Sequence, residues 1–361
     1  MRSVLTRASA AIDRSVVRFM ERRMAPKTPR IDPSEARARL VELAAQYAGG
    51  MGHPSPMFVE PTPARMQLRP EGDGPLGTQV VDLAWESDYT PFHPLARDPY
   101  LAITENQTAH ARSWTSDRGR PTIVMIHGWG GGNHWVTFRT FLVPYWLKHG
   151  WDVVAFQLPF HGNRAPGTGI AKSGALFPSP NPLRTNEGFA HAIYDLRALA
   201  MFLRSRGSSA VGAMGMSLGG YTTALWASIA GPGEVGGTDF AVAMIPAVAM
   251  AKVMWSIGDG SAARAKASKA GITEDLLGDA FAVHAPTTRA PRVPLDRRFV
   301  IAGRGDRITP PEQAETLAAH WGVPVMWFDG GHLAQIGRSE ALRTVRRALG
   351  ALELSGRKFR E

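Results

Sequence analysis

Ala213-Met214-Gly215-Met216-Ser217-Leu218-Gly219-Gly220 is the stretch on which the reading of this chain turns. Residues 210–214 read as a short buried strand, and residues 221–227 have helix-forming character. Between them stands G-x-S-x-G, with Ser217 at its centre. A serine on a tight strand-to-helix turn has its Oγ pushed out where a base can reach it, and Gly215 and Gly219 leave room for the turn and for close helix packing. The helix that follows aims its first N–H groups at any negative charge that develops there. A glycine-rich turn carrying a bystander serine would look the same. The residues elsewhere in the chain that would have to cooperate with Ser217 decide between the two.

Working outward, apolar runs suited to doubly buried strands stand at 121–127, 151–156, 240–245, 299–302 and 324–328. Helical patterns separate several of them, among these 186–206, and the last helix is expected at 339–352. Strands alternating with helices imply an α/β fold with a mostly parallel sheet covered on both faces. In such a sheet, functional residues collect at the carboxyl ends of the strands. Four of those ends carry chemistry: Ser217; Asp306 in Gly303-Arg304-Gly305-Asp306; His332 in Asp329-Gly330-Gly331-His332; and His127-Gly128-Trp129-Gly130-Gly131-Gly132.

A serine hydroxyl needs a base to remove its proton at neutral pH, and His332 is suited to that. The imidazole in turn needs a carboxylate to fix its tautomer, which Asp306 supplies. The order Ser-Asp-His, with gaps of 89 and 26 residues, differs from the other common serine-enzyme orders. A tetrahedral oxyanion would be held by the N–H of Leu218 and by that of Trp129 in the glycine-rich turn. Taken singly, Asp306 reads as a turn aspartate, Gly330-Gly331 as a simple turn, His332 as a helix cap and His127 as a structural histidine. Their joint placement at strand ends, in this order, favours catalysis.

This set resembles the α/β-hydrolase superfamily over residues 100–352, and Leu158-Pro159-Phe160-His161-Gly162-Asn163-Arg164 is similar to a loop of that superfamily. Gly215 to Gly220 together with Gly330-Gly331-His332 look most like the abhydrolase domain-containing protein 18 type. The resemblance implies an α/β-hydrolase fold with Ser217, Asp306 and His332 as triad and no metal or organic cofactor. It also implies a serine hydrolase cleaving carboxylic esters through an acyl-enzyme intermediate. The serine argues against the branches that place an aspartate there, the haloalkane dehalogenases and epoxide hydrolases. The same triad would serve a peptidase, a thioesterase or an acyltransferase, and a non-catalytic membrane-associated binding protein is the rival from another class.

Residues 246–297 contain no evident core strand and are expected to form a helical lid, with helices over 247–255 and 262–282 joined by Gly258-Asp259-Gly260. Met250, Met254 and Trp255 are candidates to line an apolar acyl pocket, against the equal expectation that they pack the lid onto the body. Residues 165–183 are a candidate for the opposite rim. His134, Trp135, His161 and Arg164 are expected near the mouth, with His134 and His161 as candidate substrate contacts. Neither histidine has a carboxylate or histidine at ligand spacing, so no metal site is expected.

Residues 1–56 are expected to be an N-terminal helical extension and 57–361 the hydrolase domain. In residues 1–24, Leu5, Ala8, Ile12, Val16, Phe19 and Met20 recur at helical spacing, with Arg7, Arg14 and Arg18 opposite. Such a helix packs on its own domain or lies on an anionic membrane. A second helix is expected over 35–47, with Leu40, Leu43 and Ala44 apolar and Gly49-Gly50 closing it. Strand-like pieces follow at 66–68, 79–85 and 107–114, and Pro91, Pro94 and Pro99 mark a loop.

The net charge of +10 is concentrated at the ends: residues 1–30 hold eight Lys/Arg against Asp13 and Glu21, and residues 338–361 hold seven against three Glu. The body between them is neutral, without the basic stripe of a duplex-binding protein, so nucleic acid is not an expected partner. The absence of cysteine excludes disulfides and a thiolate nucleophile. No signal-peptide core or 18-residue apolar span is present. The expected location is cytoplasmic, with peripheral membrane contact through residues 1–24. The expected partner is a small-molecule or lipid ester, and the oligomeric state stays open.

Overall fold

The computed structural model describes residues 4–24, 32–47, 52, 55–116, 119–167, 173–179, 181–257, 261–352 and 354, and of 16–24, 257 and 263 the backbone alone. In chain order the elements are α1 (Val4–Met24), α2 (Pro33–Tyr47), β1 (Gln67–Asp73), β2 (Gln79–Glu86), α3 (Pro94–Leu101), β3 (Thr108–Thr115) and β4 (Thr122–Ile126). Then come α4 (His134–Thr140), α5 (Val143–Lys148), β5 (Asp152–Phe156), α6 (Pro182–Ser205), β6 (Val211–Met216), α7 (Leu218–Ile229) and β7 (Ala241–Met244). The last third holds α8 (Met250–Ile257), α9 (Ala262–Lys269), α10 (Glu274–Phe281), β8 (Arg298–Gly303), α11 (Pro311–Trp321), β9 (Val325–Phe328) and α12 (Ser339–Ala351).

The chain divides into two compact units. The larger holds Pro54–Met244, Pro291–Phe299 and Arg343–Glu361. Its strands lie in the order β1-β2-β3-β5-β4-β6-β7. Antiparallel pairing runs from β1 to β5, and parallel pairing continues through β4 and β6 to β7. Every residue of β4, β5, β6 and β7 is buried, as parallel strands covered on both faces require, whereas β1 is exposed along its length. Helix α7 is buried on every residue, which its uncharged sequence of apolar, hydroxyl-bearing and glycine residues allows. Asn181 caps α6, its side chain accepting from the N–H of Arg184, so that helix starts at Pro182, earlier than expected.

The smaller unit holds Met1–His53, Ile245–Ala290 and Val300–Leu342. In it Val300–Gly303 pair in parallel with Val325–Phe328, and α2 packs on α10 through a face that includes the expected Leu40, Leu43 and Ala44. Both units together carry the expected α/β-hydrolase elements. The division groups the N-terminal helices with residues 245–290 and 300–342, and its first boundary lies between His53 and Pro54.

Four expectations are corrected. Residues 94–101 form helix α3, because Pro94 sits at its first turn, where its missing N–H costs nothing, and His93 Nδ1 accepts from the N–H of Leu95. The helix expected over 262–282 is two helices: Gly271 takes a left-handed φ of +77° and Thr273 caps α10 by accepting from Leu276 N–H. Between β4 and β5 the sequence predicts one helical pattern running through Leu147, but it breaks at Leu142, which has φ 56°. The fourth concerns α1. Leu5, Ala8 and Ile12 point outward, while Thr6, Ser9, Ala10 and Asp13 are buried, so the helix docks by its polar face. Gly258-Asp259-Gly260, Gly49-Gly50, residues 168–172 and the side chains of Val16, Arg18, Phe19 and Met20 lie outside the described residues.

Candidate active site

In the larger unit β6 runs directly into α7, and Ser217 forms the junction with φ 55° and ψ −115°. A non-glycine residue at such angles stores about 1–3 kcal/mol of strain and persists only where its surroundings impose it. Here they do. Ser217 N–H donates to Met244 O at 3.0 Å, and Tyr221 N–H donates to Ser217 O at 3.0 Å. The two glycines of the motif are required by close approach: a Cβ on Gly215 would lie 2.0 Å from Gly219 O, and one on Gly219 would lie 1.9 Å from Ile126 O. The helix therefore sits hard against the end of β4, and Leu218 follows Ser217 as the first residue of α7.

The glycine-rich turn after β4 stands beside that serine. A Cβ on Gly128 would lie 3.3 Å from Ser217 Cβ, which places the main chain leading into Trp129 at the elbow. The turn is fixed from both sides. His127 Nδ1 bonds Gly128 O at 2.8 Å and its Nε2 accepts from Leu158 N–H at 3.2 Å, while Trp129 Nε1 donates to Gly174 O at 2.8 Å. Burial pushes the His127 pKa down to about 4, so it is a neutral bracing residue at pH 7.

In the smaller unit the loops after β8 and β9 bring Asp306 and His332 together. Asp306 Oδ2 receives the His332 Nδ1–H at 2.8 Å, and both residues are buried. Asp306 Oδ1 accepts the N–H groups of Ile308 and Thr309 at 2.9 and 2.8 Å. The Thr309 hydroxyl lies 3.0 Å from Asp306 Oδ2, 3.0 Å from His332 Nδ1 and 2.9 Å from Ile245 O. Burial alone disfavours the imidazolium, but the charge and hydrogen bond of Asp306 and the charge of Asp13 outweigh it, and the His332 pKa stands above 6.5. With Nδ1–H committed to the carboxylate, Nε2 is the nitrogen left to exchange a proton. Thr309 and Asp13 were missed by sequence reasoning. Thr309 stands three residues after Asp306, and Asp13 is the first acid in an otherwise apolar and basic segment.

The expected substrate contacts fare unevenly. His161 is fully buried, with Nδ1 2.8 Å from Pro159 O and its ring packed on His127 and Phe177. Its Nδ1 and ring brace the loop from inside the fold. Arg164 is fully buried too, paired with Asp195 at 2.8 Å and donating to Asn106 O. His134 is half-buried, 3.3 Å from Gln157 Nε2, with its pKa pushed down to about 4 by burial and by Arg112. Trp135 is exposed. In α8, Met250 is buried and Met254 and Trp255 are half-buried, with the Arg264 guanidinium 4.9 Å over the Trp255 ring. Among the described residues, no group of three His, Cys, Asp or Glu side chains could hold a metal ion.

Comparison with known proteins agrees with this architecture. The model of the α/β hydrolase fold family matches residues 121–237. The uncharacterized protein MT2702 of Mycobacterium tuberculosis (strain CDC 1551 / Oshkosh) is 31% identical over 310 residues, covering 83% of this chain and 71% of that protein. Rv2627c of strain ATCC 25618 / H37Rv is 31% identical over 305 residues, covering 82% and 70%. Among solved structures, an acetyl xylan esterase from Paenibacillus sp. R4 matches with a TM-score of 0.54 and 16% identity, over 92% of this chain and 98% of that one. At that identity the likeness is one of fold. The chain belongs to the α/β-hydrolase superfamily, in one family with these two mycobacterial proteins.

Proposed function

We propose that the protein is a serine hydrolase that cleaves a carboxylic ester through an acyl-enzyme intermediate. Ser217 is the nucleophile, His332 its base and then the acid that protonates the leaving alcohol, and Asp306 orients His332. Oxyanion stabilisation falls to the N–H groups of Leu218 and Trp129. Water then attacks the acyl-enzyme, His332 again removes the proton, and the acid is released. The observation that carries this reading is the strained backbone of Ser217 on the β6–α7 turn, since strain of that kind collects where function demands it. The buried Asp306–His332 pair supports it. The narrower resemblance to abhydrolase domain-containing protein 18 rests on residues 215–220 and 330–332 and adds no residue role.

A fluorophosphonate probe tests the reading. It should label the native protein and fail to label folded Ser217→Ala; absence of labelling on folded native protein overturns the assignment. A panel of ester, thioester and amide substrates, with alcohol acceptors, then separates hydrolase from peptidase, thioesterase and acyltransferase.

A lipid-like acyl substrate extends this proposal. Val4, Leu5 and Ile12 stand exposed on α1 beside exposed Arg7 and Arg14, a pattern suited to an anionic bilayer surface. No helix among the described residues is long and apolar enough to cross a membrane. Anionic liposomes should retain the protein at low salt and release it as salt rises; binding that ignores salt rejects this extension.

A further inference from the structure

The geometry points to Asp13, on the N-terminal helix, as a positioning residue that holds the acid loop and the base loop in register. Its carboxylate is fully buried. Oδ2 accepts the N–H of His332 at 2.8 Å and the N–H of Arg307 at 3.1 Å, and Oδ1 accepts the N–H of Leu333 at 3.2 Å. Arg307 follows Asp306 in one loop and His332 opens the other, so one side chain ties together the two segments that bring the carboxylate and the imidazole into contact. A buried carboxylate that accepts three main-chain N–H groups is held by charge-assisted bonds, about twice as strong as neutral ones, and fixes its donors in return.

The surrounding sequence is cut to fit this contact. A Cβ on Gly331 would lie 2.7 Å from Asp13 Oδ2, and one on Gly305 would lie 2.7 Å from Thr6 O. Both glycines are thus sockets for α1, one in each loop. Two lighter bonds seat the same helix face: Thr6 Oγ1 donates to Asp329 O at 2.9 Å and Ser9 Oγ to Ala334 O at 3.4 Å. Thr6, Ser9 and Asp13 stand at i, i+3 and i+7, one stripe of the helix. The charged groups acting on the imidazole in this unit are the carboxylates of Asp306, from the loop after β8, and of Asp13, from α1. Asp13 thereby acts on His332 twice, through its main chain and through its charge.

The role in turnover rests on the proposed serine hydrolase; the role in fixing His332 does not, and the test keeps them apart. His332 is titrated by NMR in the full-length native protein and in Asp13→Asn, alongside amide exchange at Arg307, His332 and Leu333 and ester turnover. In Asp13→Asn the His332 pKa falls, the three amides exchange at least tenfold faster, and kcat drops about 10- to 100-fold with KM within twofold. The acid limb of the kcat/KM profile moves to lower pH, because His332 must be neutral to act and has lost a negative neighbour. Thr6→Ala with Ser9→Ala, which weaken the same docking without touching the charge, leave the His332 titration in place. Should Asp13→Asn not fold, Asp13→Glu serves, and it keeps the titration near native while lowering kcat. An unchanged titration and unchanged amide exchange in Asp13→Asn, or a native kcat in Asp13→Glu, overturns the inference. A native protein without ester turnover or probe labelling, whose His332 still shifts in Asp13→Asn, overturns the hydrolase reading and leaves the positioning role standing.

Discussion

This protein uses two kinds of construction. The turn that bears Ser217 is set by backbone packed on backbone: Gly215 against Gly219, Gly219 against Ile126 O, Gly128 against Ser217. The loops that bear Asp306 and His332 are set by side chains bonded to main chain, those of Thr309, Asp306 and Asp13. Steric packing of the first kind tolerates no added atom and cannot be adjusted by pH or solvent. Hydrogen bonding of the second kind tolerates volume better, but each lost partner leaves a buried donor or acceptor, and its strength follows charge. On the proposed reading, the nucleophile is the group held by packing, where a small error of position would be fatal. The proposed base, His332, is held by bonds that set its proton affinity as well as its place.

The strongest test of the comparison removes the chemistry from each side in turn. Ser217→Ala should cost about 10⁵-fold or more in kcat, with thermal stability little changed, because alanine keeps the Cβ that makes the turn strained. Asp306→Asn should cost about 10³- to 10⁴-fold, because the amide donates toward Nδ1 and favours the wrong tautomer. The pH profile separates the two sides further. With the His332 pKa raised from its ordinary value by Asp306 and Asp13 against the effect of burial, the acid limb of kcat/KM should move to lower pH in Asp306→Asn. The sign for stability is the reverse of a carboxylate's. A folded-state pKa above the unfolded one contributes stability that is complete below the unfolded pKa and is lost as pH rises through the folded value. Thermal melts across pH 5–9 of the native protein and His332→Gln read that difference; parallel curves would refute it.

Two further variants set volume against bonding. Gly219→Ala drives a Cβ to 1.9 Å from a main-chain oxygen and should cost about 3 kcal/mol of stability, read as a large fall in Tm with the labelling of any folded fraction reduced as well. Thr309→Val keeps the shape and removes one hydroxyl shared by Ile245 O, Asp306 and His332. It should cost about 1 kcal/mol of stability and about tenfold in kcat. A Gly219→Ala protein as stable as Thr309→Val would break the contrast.

The same contrast explains what could be read from sequence. The elbow is legible because its determinants are local: a buried strand, G-x-S-x-G and a helix within twenty residues. Asp306 and His332 are legible because they end strands and stand in a known order. Asp13 is not, because it acts across 319 residues and no local pattern links α1 to the loop of His332. Its helix also inverts the usual rule. Apolar Leu5 and Ile12 face out while Thr6, Ser9 and Asp13 face in, since the loops of residues 305–307 and 329–334 offer N–H and C=O groups and not apolar surface. The signal present in the sequence was the polar stripe at 6, 9 and 13. What the side chains of His161 and Arg164 do was illegible for a related reason: their loop lies at a strand end, but both turn inward to bonds with partners distant from any local pattern.

The smallest expected effect completes the comparison on α1 itself. Leu5 and Ile12 are roughly half exposed, so Leu5→Ser with Ile12→Ser removes no packed contact with the fold and should shift stability by no more than about 0.5 kcal/mol. Turnover of a short water-soluble ester should be unchanged, because the docking face of the helix is untouched. Binding to anionic liposomes should fall, since the variants remove apolar area while leaving Arg7 and Arg14 in place. A protein that loses stability or soluble-ester turnover would place these side chains against a partner surface within the fold. A protein that binds liposomes as before would move the membrane-facing role away from α1. Either result redraws the division between the helix's two faces, of which the one that carries Asp13 is bonded to His332.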